Sequence, residues 1–349
     1  MASIRKLKNG KWEANIYIGT DADGKQIRKY IRADTERECK AKARKIELEL
    51  DEGTFVNIEN KKVGKYLDEW LELQKNSLAP STYMLYKGYI NVHYKPAFGN
   101  IKMNKLNELH IQKFKNDKLK EVTANTVRKL LIVLRKALKD GMKNKNPSKD
   151  IELPPIEKTR FRLITDEEFN ILHEEAKKNI FDECIILLAA WGGLRRGEIF
   201  ALKPDDLFLK KNFIRVDEAY SISEEGYIDK DPKSDNGFRD VVIPKYLCDL
   251  ISKYMKHLGE IPDRIFDMRP DSYSKRFKAL RERTALKDED IVFHDLRHYQ
   301  ASWLYKNGMP DQYSAERLGH DIITMKKIYQ HLDKSIKIEN DKKIIEMFS

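Results

Sequence analysis

The ten residues from Ile151 to Arg160 divide this chain into two parts. They read IELPPIEKTR, and the two adjacent prolines favour extended backbone over helix, as in a linker. With 349 residues the chain is long enough for two or three domains. We therefore predict separately folded regions on either side of this segment.

Charge is unevenly distributed along the chain. The net charge is +11, to which residues 1–55 contribute +3, residues 56–159 contribute +10 and residues 160–349 contribute −2. Positive charge concentrated in one region is typical of proteins that bind polyanions. The alternative is a lysine-rich, solvated surface without a partner, and charge alone does not decide between the two.

Composition and termini disfavour several other protein classes. No apolar run reaches the roughly 18 residues needed to span a membrane. The N-terminal residues MASIRKLKNGKW lack the apolar core of a signal peptide. The three cysteines, Cys39, Cys184 and Cys248, are far apart and predict neither a disulfide framework nor a zinc site. We expect a cytoplasmic protein that is not associated with a membrane.

The first region is predicted to be a small sheet backed by one helix. Strands are expected at residues 3–8, 11–18 and 25–32. Asn9-Gly10 indicates a two-residue hairpin turn, and residues 21–24 indicate a second turn. A capping box at Thr35 and Glu38 begins the helix, and Gly53 ends it. The residues that alternate onto one face of the middle strand are Trp12, Ala14, Ile16 and Ile18.

Basic residues outnumber acidic ones in this small sheet. A sheet of this kind can place a basic face in a DNA groove, although it can also serve only to pack. The residues that we expect to contact DNA are Arg5, Lys6, Lys8, Lys11, Arg28, Lys29 and Arg32.

The middle region is predicted to be an all-α bundle, because apolar residues recur at helical spacing in four segments. The helices are expected at residues 63–76, 81–93, 109–119 and 125–142. The second follows a chain break at Pro80, with Ser81 or Thr82 as its cap. Such bundles often have no role beyond packing, but the charge of +10 favours binding to a nucleic-acid backbone.

The last region is predicted to be mainly helical with one small sheet, and a capping box at Thr165 and Glu168 opens it. Strands are expected near residues 213–219, 226–230 and 238–243. Helices are expected near residues 166–177, 181–191, 245–257, 271–284, 295–307, 311–318 and 322–332. The fold class is therefore multidomain and mainly α with small β-sheets.

Two polar groups stand out in the first half of this region. An apolar helix ends in two glycines, and Arg195 lies at the turn that follows. Glu198 is three residues further on and can hold the side chain of Arg195. A guanidinium fixed in this way suits bidentate phosphate recognition, although Arg and Glu at this spacing usually form a surface ion pair. Lys233 lies in a turn-rich segment between strands, where a lysine is more often solvated than catalytic.

The C-terminal region holds four more candidates. His294 and Arg297 share a face at the start of a helix, where free N–H groups favour an anion. Gly319 lets the chain reverse so that His320 projects inward, and Tyr329 lies on the following helix. Each residue alone is more often a capping or packing residue, so only the whole set indicates chemistry.

Two arginines, two histidines, a lysine and a tyrosine suggest attack on a phosphodiester. The tyrosine hydroxyl attacks, the arginines neutralise charge on the nonbridging oxygens, and a lysine or histidine protonates the leaving 5′-oxygen. The covalent phosphotyrosine conserves the bond energy. We therefore expect no need for ATP, a metal or another cofactor.

With these motifs the chain resembles the tyrosine recombinases, or phage integrase family, and in particular the integrases of Gram-positive temperate phages and conjugative elements. The resemblance covers almost the whole chain. It implies an arm-type DNA-binding domain at residues 1–55, a helical core-binding domain at 63–147 and a mixed α+β catalytic domain with a C-terminal tail at 160–349. The implied function is site-specific recombination that integrates or excises a mobile element.

The resemblance also implies residue roles. The catalytic residues would be Arg195, Lys233, His294, Arg297, His320 and Tyr329, with Glu198 in support. Lys233 would be the general acid and Tyr329 the nucleophile. Two departures are minor: Trp191-Gly192-Gly193 stands where the family often has an apolar residue, Thr and Gly, and Ser234 follows Lys233 where Thr is common. Neither departure removes a catalytic group.

The implied assembly is a homotetramer on double-stranded DNA that carries core and arm attachment sites. The tail at residues 333–349 is too apolar to remain exposed to solvent. We expect it to pack in trans on a neighbouring protomer, and the alternative is that it packs on its own domain. An excisionase and a host DNA-bending protein are further partners that the resemblance allows.

Two other functions compete with this one. A type IB topoisomerase shares the chemistry, but the domain layout and the spacing from His320 to Tyr329 disfavour it. A non-catalytic DNA-binding regulator needs neither Tyr329 nor Lys233. Within the family, the N-terminal basic sheet separates this chain from the branch that resolves chromosome dimers, which generally lacks that domain.

Overall fold

The computed structural model describes most of the chain. The described residues are 2–20, 26–51, 61–142, 145–157, 162–230, 237–260, 262–320, 322 and 344–348. The chain divides into two compact units, of which the first comprises residues 1–78 and 85–157 and the second residues 79–84 and 158–349. No helix of the described ranges combines the length and the apolar character that crossing a membrane requires.

The first unit begins with the predicted sheet and helix. The elements are β1 (Ser3–Lys6), β2 (Trp12–Thr20), β3 (Gln26–Ala33) and α1 (Glu36–Asp51). The strands are antiparallel in the order β1-β2-β3. Ala14 and Ile16 are buried with residues of α1, and Trp12 and Ile18 pack at the edge of this core, as the alternation predicted. The second turn, at residues 21–24, and Gly53 lie outside the described residues.

The first hairpin turn is one residue longer than predicted. Leu7 donates its N–H to the carbonyl of Lys11 (2.7 Å), so three residues link the strands. Gly10 donates to the carbonyl of Leu7 (3.0 Å) and has a φ of +81°. A turn followed by a left-handed glycine satisfies the twist of the flanking strands as well as a two-residue turn does.

The helical bundle follows after residue 61. Its elements are α2 (Val63–Leu73), α3 (Pro80–Gly88), a π-helix (Tyr89–Tyr94), α4 (Lys95–Phe98), a 3-10 helix (Met103–Lys105), α5 (Glu108–Glu121) and α6 (Ala124–Met142). The prediction of a cap at Ser81 or Thr82 is wrong, because α3 begins at Pro80 itself. Proline is well tolerated at a first helical position, where an N–H would have no partner within the helix.

The linker is held along the last helix of this bundle as far as residue 157. Arg128 donates to the carbonyl of Pro154 (2.9 Å), and Asn125 binds the backbone of Glu157 through two hydrogen bonds (2.8 and 3.1 Å). Arg135 donates to the carbonyls of Ser148 and Ile151. This stretch of the linker is therefore an ordered strap on the first unit.

The second unit is mainly helical. Its helices are α7 (Asp166–Ala176), α8 (Ile180–Ala190), α9 (Arg196–Ile199), α10 (Lys245–Leu258), α11 (Pro270–Glu282), α12 (Asp295–Lys306) and α13 (Asp311–Leu318). Its strands are β4 (Leu207–Phe208), β5 (Phe213–Val216), β6 (Ala219–Ser223), β7 (Gly226–Lys230) and β8 (Arg239–Val242). The predicted elements that lie in the described residues agree with these bounds to within a few residues, whereas β4 and β6 were not predicted. Of the predicted helix at 322–332, only Ile322 is described.

The strands of this unit form two sheets rather than the single sheet predicted. One has the order β4-β5-β8, and the other is the hairpin β6-β7. The strand predicted over residues 213–219 is interrupted at Asp217 and Glu218, where the carboxylate of Glu218 accepts from Nζ of Lys203 (2.5 Å).

Helix α8 lies at the centre of the unit. Its residues from Cys184 to Ala190 are buried within a core that also includes α7, α10, α11 and α12. Its C-terminal end therefore emerges from packed surroundings, which fixes the position of the turn that follows.

Candidate active site

The turn after α8 positions the first catalytic candidate. Gly193 has a φ of +68°, a conformation that disfavours any residue with a β-carbon. The chain then reaches Arg195, which caps α9. Glu198 accepts from the backbone N–H of Arg195 (2.7 Å) and from its Nη1 (2.6 Å). Glu198 thus holds the side chain of Arg195, and because Glu198 is buried, the pair is not a surface ion pair.

Arg297, the second predicted arginine, is buried near the start of α12, with 1% of its surface exposed. Nη1 donates to the carbonyl of Gly193, and Nη2 donates to the carbonyl of Leu318. Nη1 also lies 3.9 Å from a carboxylate oxygen of Glu198. Burial, followed by the charge of Arg195, lowers the pKa of Arg297. This side chain therefore ties three separate segments together.

His320 reaches the same group of residues after the turn at Gly319. Gly319 adopts the left-handed conformation (φ +57°) and reverses the chain at the end of α13. Nε2 of His320 lies 2.9 Å from Nη2 of Arg297. Because a guanidinium only donates, this Nε2 accepts and carries no proton. Burial, then the charges of Arg297 and Arg195, lower the pKa of His320 to about 3, in agreement with a neutral imidazole.

His294 lies at the N-terminus of α12, and its carbonyl accepts from the N–H of Arg297 (3.1 Å). Loss of hydration among packed neighbours, then the charges of Arg297, Arg195 and Arg196, lower the pKa of His294 to about 4. At neutral pH this imidazole is therefore uncharged and available to accept a proton.

A third arginine, which the sequence analysis did not identify, binds the same carboxylate. Arg239, the first residue of β8, donates from Nη2 to Oε2 of Glu198 (2.8 Å) and from Nη1 to Oε1 (3.2 Å). A signal for it exists in the sequence. Val241 and Ile243 are buried, and strand alternation places Arg239 on the same inward face.

Three consecutive carbonyls at the C-terminal end of α13 accept hydrogen bonds from these three arginines. Nε of Arg239 donates to the carbonyl of Arg317 (2.8 Å), Arg297 donates to that of Leu318, and Arg195 donates to that of Gly319. The carbonyl end of a helix carries partial negative charge, which favours cations. The turn that leads to His320 is thus fixed by three guanidinium groups.

The charge at this centre is positive. Three guanidinium groups surround one carboxylate, which leaves two uncompensated positive charges. Burial opposes ionisation of Glu198, but Arg239, Arg297 and Arg195 outweigh it and hold the pKa of Glu198 at about 2. A positively charged pocket of fixed donors is suited to a phosphate that gains charge in a transition state.

Two predicted catalytic residues, Lys233 and Tyr329, lie outside the described residues. The structure therefore brings together Arg195, Glu198, Arg297 and His320 through direct contacts, with His294 beside them. In the ranges that the structure describes, no three His, Cys, Asp or Glu residues are arranged to hold a metal ion.

The N-terminal sheet brings together three of its seven predicted DNA contacts. By strand register, Arg5, Arg28 and Arg32 lie on the face opposite α1, together with Glu13. Glu13 is buried and accepts from Arg5 (2.8 Å) and from Arg32 (2.8 Å). The hydrogen bonds from Arg5 and then from Arg32 lower the pKa of Glu13.

Two of the other basic residues of this sheet lie on the opposite side. Strand register places Lys6 and Lys29 on the side of α1, where the ammonium of Lys6 lies 6.0 Å from the centre of the Trp12 ring. Lys8 and Lys11 belong to the first hairpin turn, and Lys11 pairs with Asp34 (3.2 Å).

Comparison with protein families gives two matches along the chain. The phage integrase family matches residues 162–335, and the phage integrase N-terminal SAM-like domain matches residues 62–119. The first match contains every predicted catalytic residue. The second falls on the helical bundle.

Curated relatives match over nearly their whole length. A protein named tyrosine recombinase XerC-like, from Caldanaerobacter subterraneus subsp. tengcongensis, is 27% identical over 368 residues, which cover 93% of this chain and 94% of that protein. The ICEBs1 integrase of Bacillus subtilis is 23% identical over 351 residues, which cover 95% of each chain.

Solved structures show the same fold. A lambda integrase dimer bound to a COC′ core site superposes with a TM-score of 0.60 at 17% identity and covers 93% of both chains. The Tn1549 transposon integrase in complex with transposon right end DNA gives a TM-score of 0.64 at 16% identity, over 77% of this chain and 94% of that one. The chain belongs to the phage integrase family and is a tyrosine recombinase.

Proposed function

We propose that this protein cuts and rejoins DNA at specific sites through a 3′-phosphotyrosine on Tyr329, and thereby integrates and excises a mobile element. The observation that carries the proposal is the buried centre around Glu198, with its three guanidinium groups and two uncompensated positive charges. Fixed donors of this kind are worth about 100-fold to 1,000-fold each in rate when they face a developing oxyanion.

The proposed reaction needs only side chains of this chain. The hydroxyl of Tyr329 attacks the phosphorus, the bond from phosphorus to the 5′-oxygen breaks, and the 3′-phosphate stays on the tyrosine. Arg195 and Arg297 face the nonbridging oxygens. The neutral imidazole of His294 accepts the tyrosine proton, and Lys233 delivers a proton to the leaving 5′-oxygen. Attack by a different 5′-hydroxyl reverses these steps and joins the new strand.

The remaining domains would bring DNA to this centre. The helical bundle at residues 63–147 is proposed to hold the core site, and residues 1–55 are proposed to hold a separate arm site. In support, the bundle and its linker carry most of the positive charge of the chain, and the sheet places Arg5, Arg28 and Arg32 on one face.

Assembly as a homotetramer is part of the proposal, and it is supported by a groove and a tail. An apolar groove of about 550 Å³ in the second unit is lined by residues that include Tyr246, Trp303, Met309 and Tyr313. The described end of the tail exposes 54% of Ile344 and 87% of Phe348. We infer that the tail of a neighbouring protomer fills this groove.

Further partners follow from the same function. Separate arm and core sites are engaged together most easily on bent DNA, so a host DNA-bending protein is an expected partner. An excisionase is expected to direct the reverse reaction. The proposed place of action is the cytoplasm, where bacterial DNA is found.

The test begins with a duplex that the full chain selects from a randomised pool. Nicked versions of this duplex, with the nick placed at successive positions, trap a cleaved strand by releasing a short fragment. We expect an SDS-stable protein–DNA adduct in the presence of EDTA, and none with Tyr329→Phe bound to the same duplex. A wild-type protein that binds every nicked duplex without forming an adduct would instead favour the regulator.

A further inference from the structure

Arg239 shares the contacts of the two arginines assigned to the phosphate. Arg195, Arg239 and Arg297 each approach the carboxylate of Glu198, and each binds one of the three carbonyls at residues 317–319. Nη1 of Arg239 also donates to the carbonyl of Gly237 (3.1 Å). One guanidinium thus joins β8, α9 and the end of α13.

Exposure separates Arg239 from Arg195. The side chain of Arg239 is 6% exposed, whereas that of Arg195 is 37% exposed. Nε, Nη1 and Nη2 of Arg239 all donate to protein oxygens. All three guanidinium nitrogens of Arg239 are therefore bound by the protein. Arg195 keeps an exposed surface, and Nε of Arg297, although buried, has no hydrogen-bond partner among the described residues.

The charge balance gives Arg239 a function. Of the charges that stabilise the ionised form of Glu198, that of Arg239 contributes most. If Arg239 were absent, only Arg195 and Arg297 would compensate the negative charge of Glu198. The uncompensated charge of the centre would fall from two to one, and the two remaining arginines would hold a phosphate less strongly.

We propose that Arg239 is a positioning residue for strand cleavage. Its guanidinium neutralises Glu198 and fixes the turn at residues 317–319, so that Arg195 and Arg297 direct their charge to the phosphate. This inference rests on the proposed function, because it assigns the phosphate to Arg195 and Arg297.

The test measures single-turnover adduct formation on the selected suicide duplex. We expect Arg239→Gln to slow this step by about 100-fold, with the DNA dissociation constant changed less than about threefold. Arg239→Lys keeps the charge and is expected to recover most of the rate. The matched control is Arg276→Gln, which removes an arginine from buried Asp182 (2.6 and 2.7 Å) elsewhere in the unit and should leave cleavage nearly unchanged.

Two further measurements separate charge from mere structure. The double variant Glu198→Gln with Arg239→Gln restores two uncompensated charges, so its rate should exceed that of Arg239→Gln alone. When a neutral methylphosphonate replaces the scissile phosphate, Arg239→Gln should slow adduct formation by a smaller factor than it does on the phosphate. If the double variant is slower than the single one and the methylphosphonate leaves the defect unchanged, the inference is overturned.

The outcomes also separate this inference from the proposed function. A wild-type protein that forms no adduct contradicts the proposed function itself. A wild-type protein that forms the adduct, together with an Arg239→Gln variant that is as active as Arg276→Gln, contradicts only the role of Arg239.

Discussion

The backbone of Gly193 lies against the side chain of Leu318, so closely that a β-carbon on residue 193 would overlap Cδ2 of the leucine. The same β-carbon would lie 3.2 Å from Cγ of Gln300. Gly193 also offers its carbonyl to Arg297. The end of α8 and the end of α13 can therefore approach each other only because residue 193 has no side chain.

Gly193→Ala is expected to destabilise the catalytic unit by roughly 2–5 kcal/mol, from the left-handed backbone and from overpacking together. The matched control is Gly308→Ala, because Gly308 has the same φ of +68° but no atom within 4 Å of the position that a β-carbon would occupy. That variant should lose only about 1–2 kcal/mol. Urea denaturation measures both, and equal losses would show that the contact with Leu318 is unimportant.

The low pKa of Glu198 predicts an acid-dependent loss of stability. The pKa is about 2 in the folded protein and 4.5 as the ordinary value. The ionised carboxylate therefore contributes fully above about pH 4.5, on the order of 3 kcal/mol, and this contribution disappears as the pH falls towards 2.

Glu198→Gln tests this directly by thermal or urea unfolding across that range. The wild-type protein should be more stable than the variant at pH 7, and the difference should shrink steadily below pH 4.5. A difference that is constant from pH 7 to pH 3 would mean that Glu198 contributes through shape and not through its charge.

The arm sheet predicts that two basic residues of its outer strands differ in their effect on DNA binding. Arg28 lies on the face with Arg5 and Arg32, whereas Lys6 lies on the side of α1. Arg28→Ala should lower the slope of log affinity against log salt by about one, as expected for one lost phosphate contact. Lys6→Ala should change the slope less, and the reverse order would place the DNA on the other face.

Local signals in the sequence predicted most of the secondary structure. Capping boxes marked the start of α7 at Thr165, and apolar periodicity marked α6 and α8. Departures arose where a local rule had two solutions. The hairpin after β1 accepted a three-residue loop with Gly10 in the left-handed conformation, and Pro80 became the first residue of α3.

The site was predictable where its partners are close in sequence. Arg195 and Glu198 are three residues apart, and the turn at Gly319 has a clear glycine signal. Arg239 lies 41 residues from Glu198. Its role depends on how β8 folds against α9 and α13, which no local pattern specifies, and only the alternation with Val241 indicates that it points inward.

The tail and the groove predict an assembly defect that does not affect DNA binding. Deletion of residues 333–349 should leave a protein that binds DNA but does not form higher assemblies on it, as measured by light scattering or gel mobility. Met309→Ser in the groove should weaken assembly in the same way. The control is Leu73→Ser, because Leu73 is 83% exposed in the first unit. Normal assembly of the truncated protein would contradict packing in trans.

The most direct test of the account is to identify the residue that carries the DNA in the SDS-stable adduct. The chain has 16 tyrosines, so mass spectrometry of the digested adduct distinguishes among many candidates. We predict that, in the presence of EDTA, a nucleotide becomes joined through its 3′-phosphate to the peptide that contains Tyr329. A nucleotide on any other tyrosine, or on a serine, would contradict the assignment of this centre to tyrosine recombination through Tyr329.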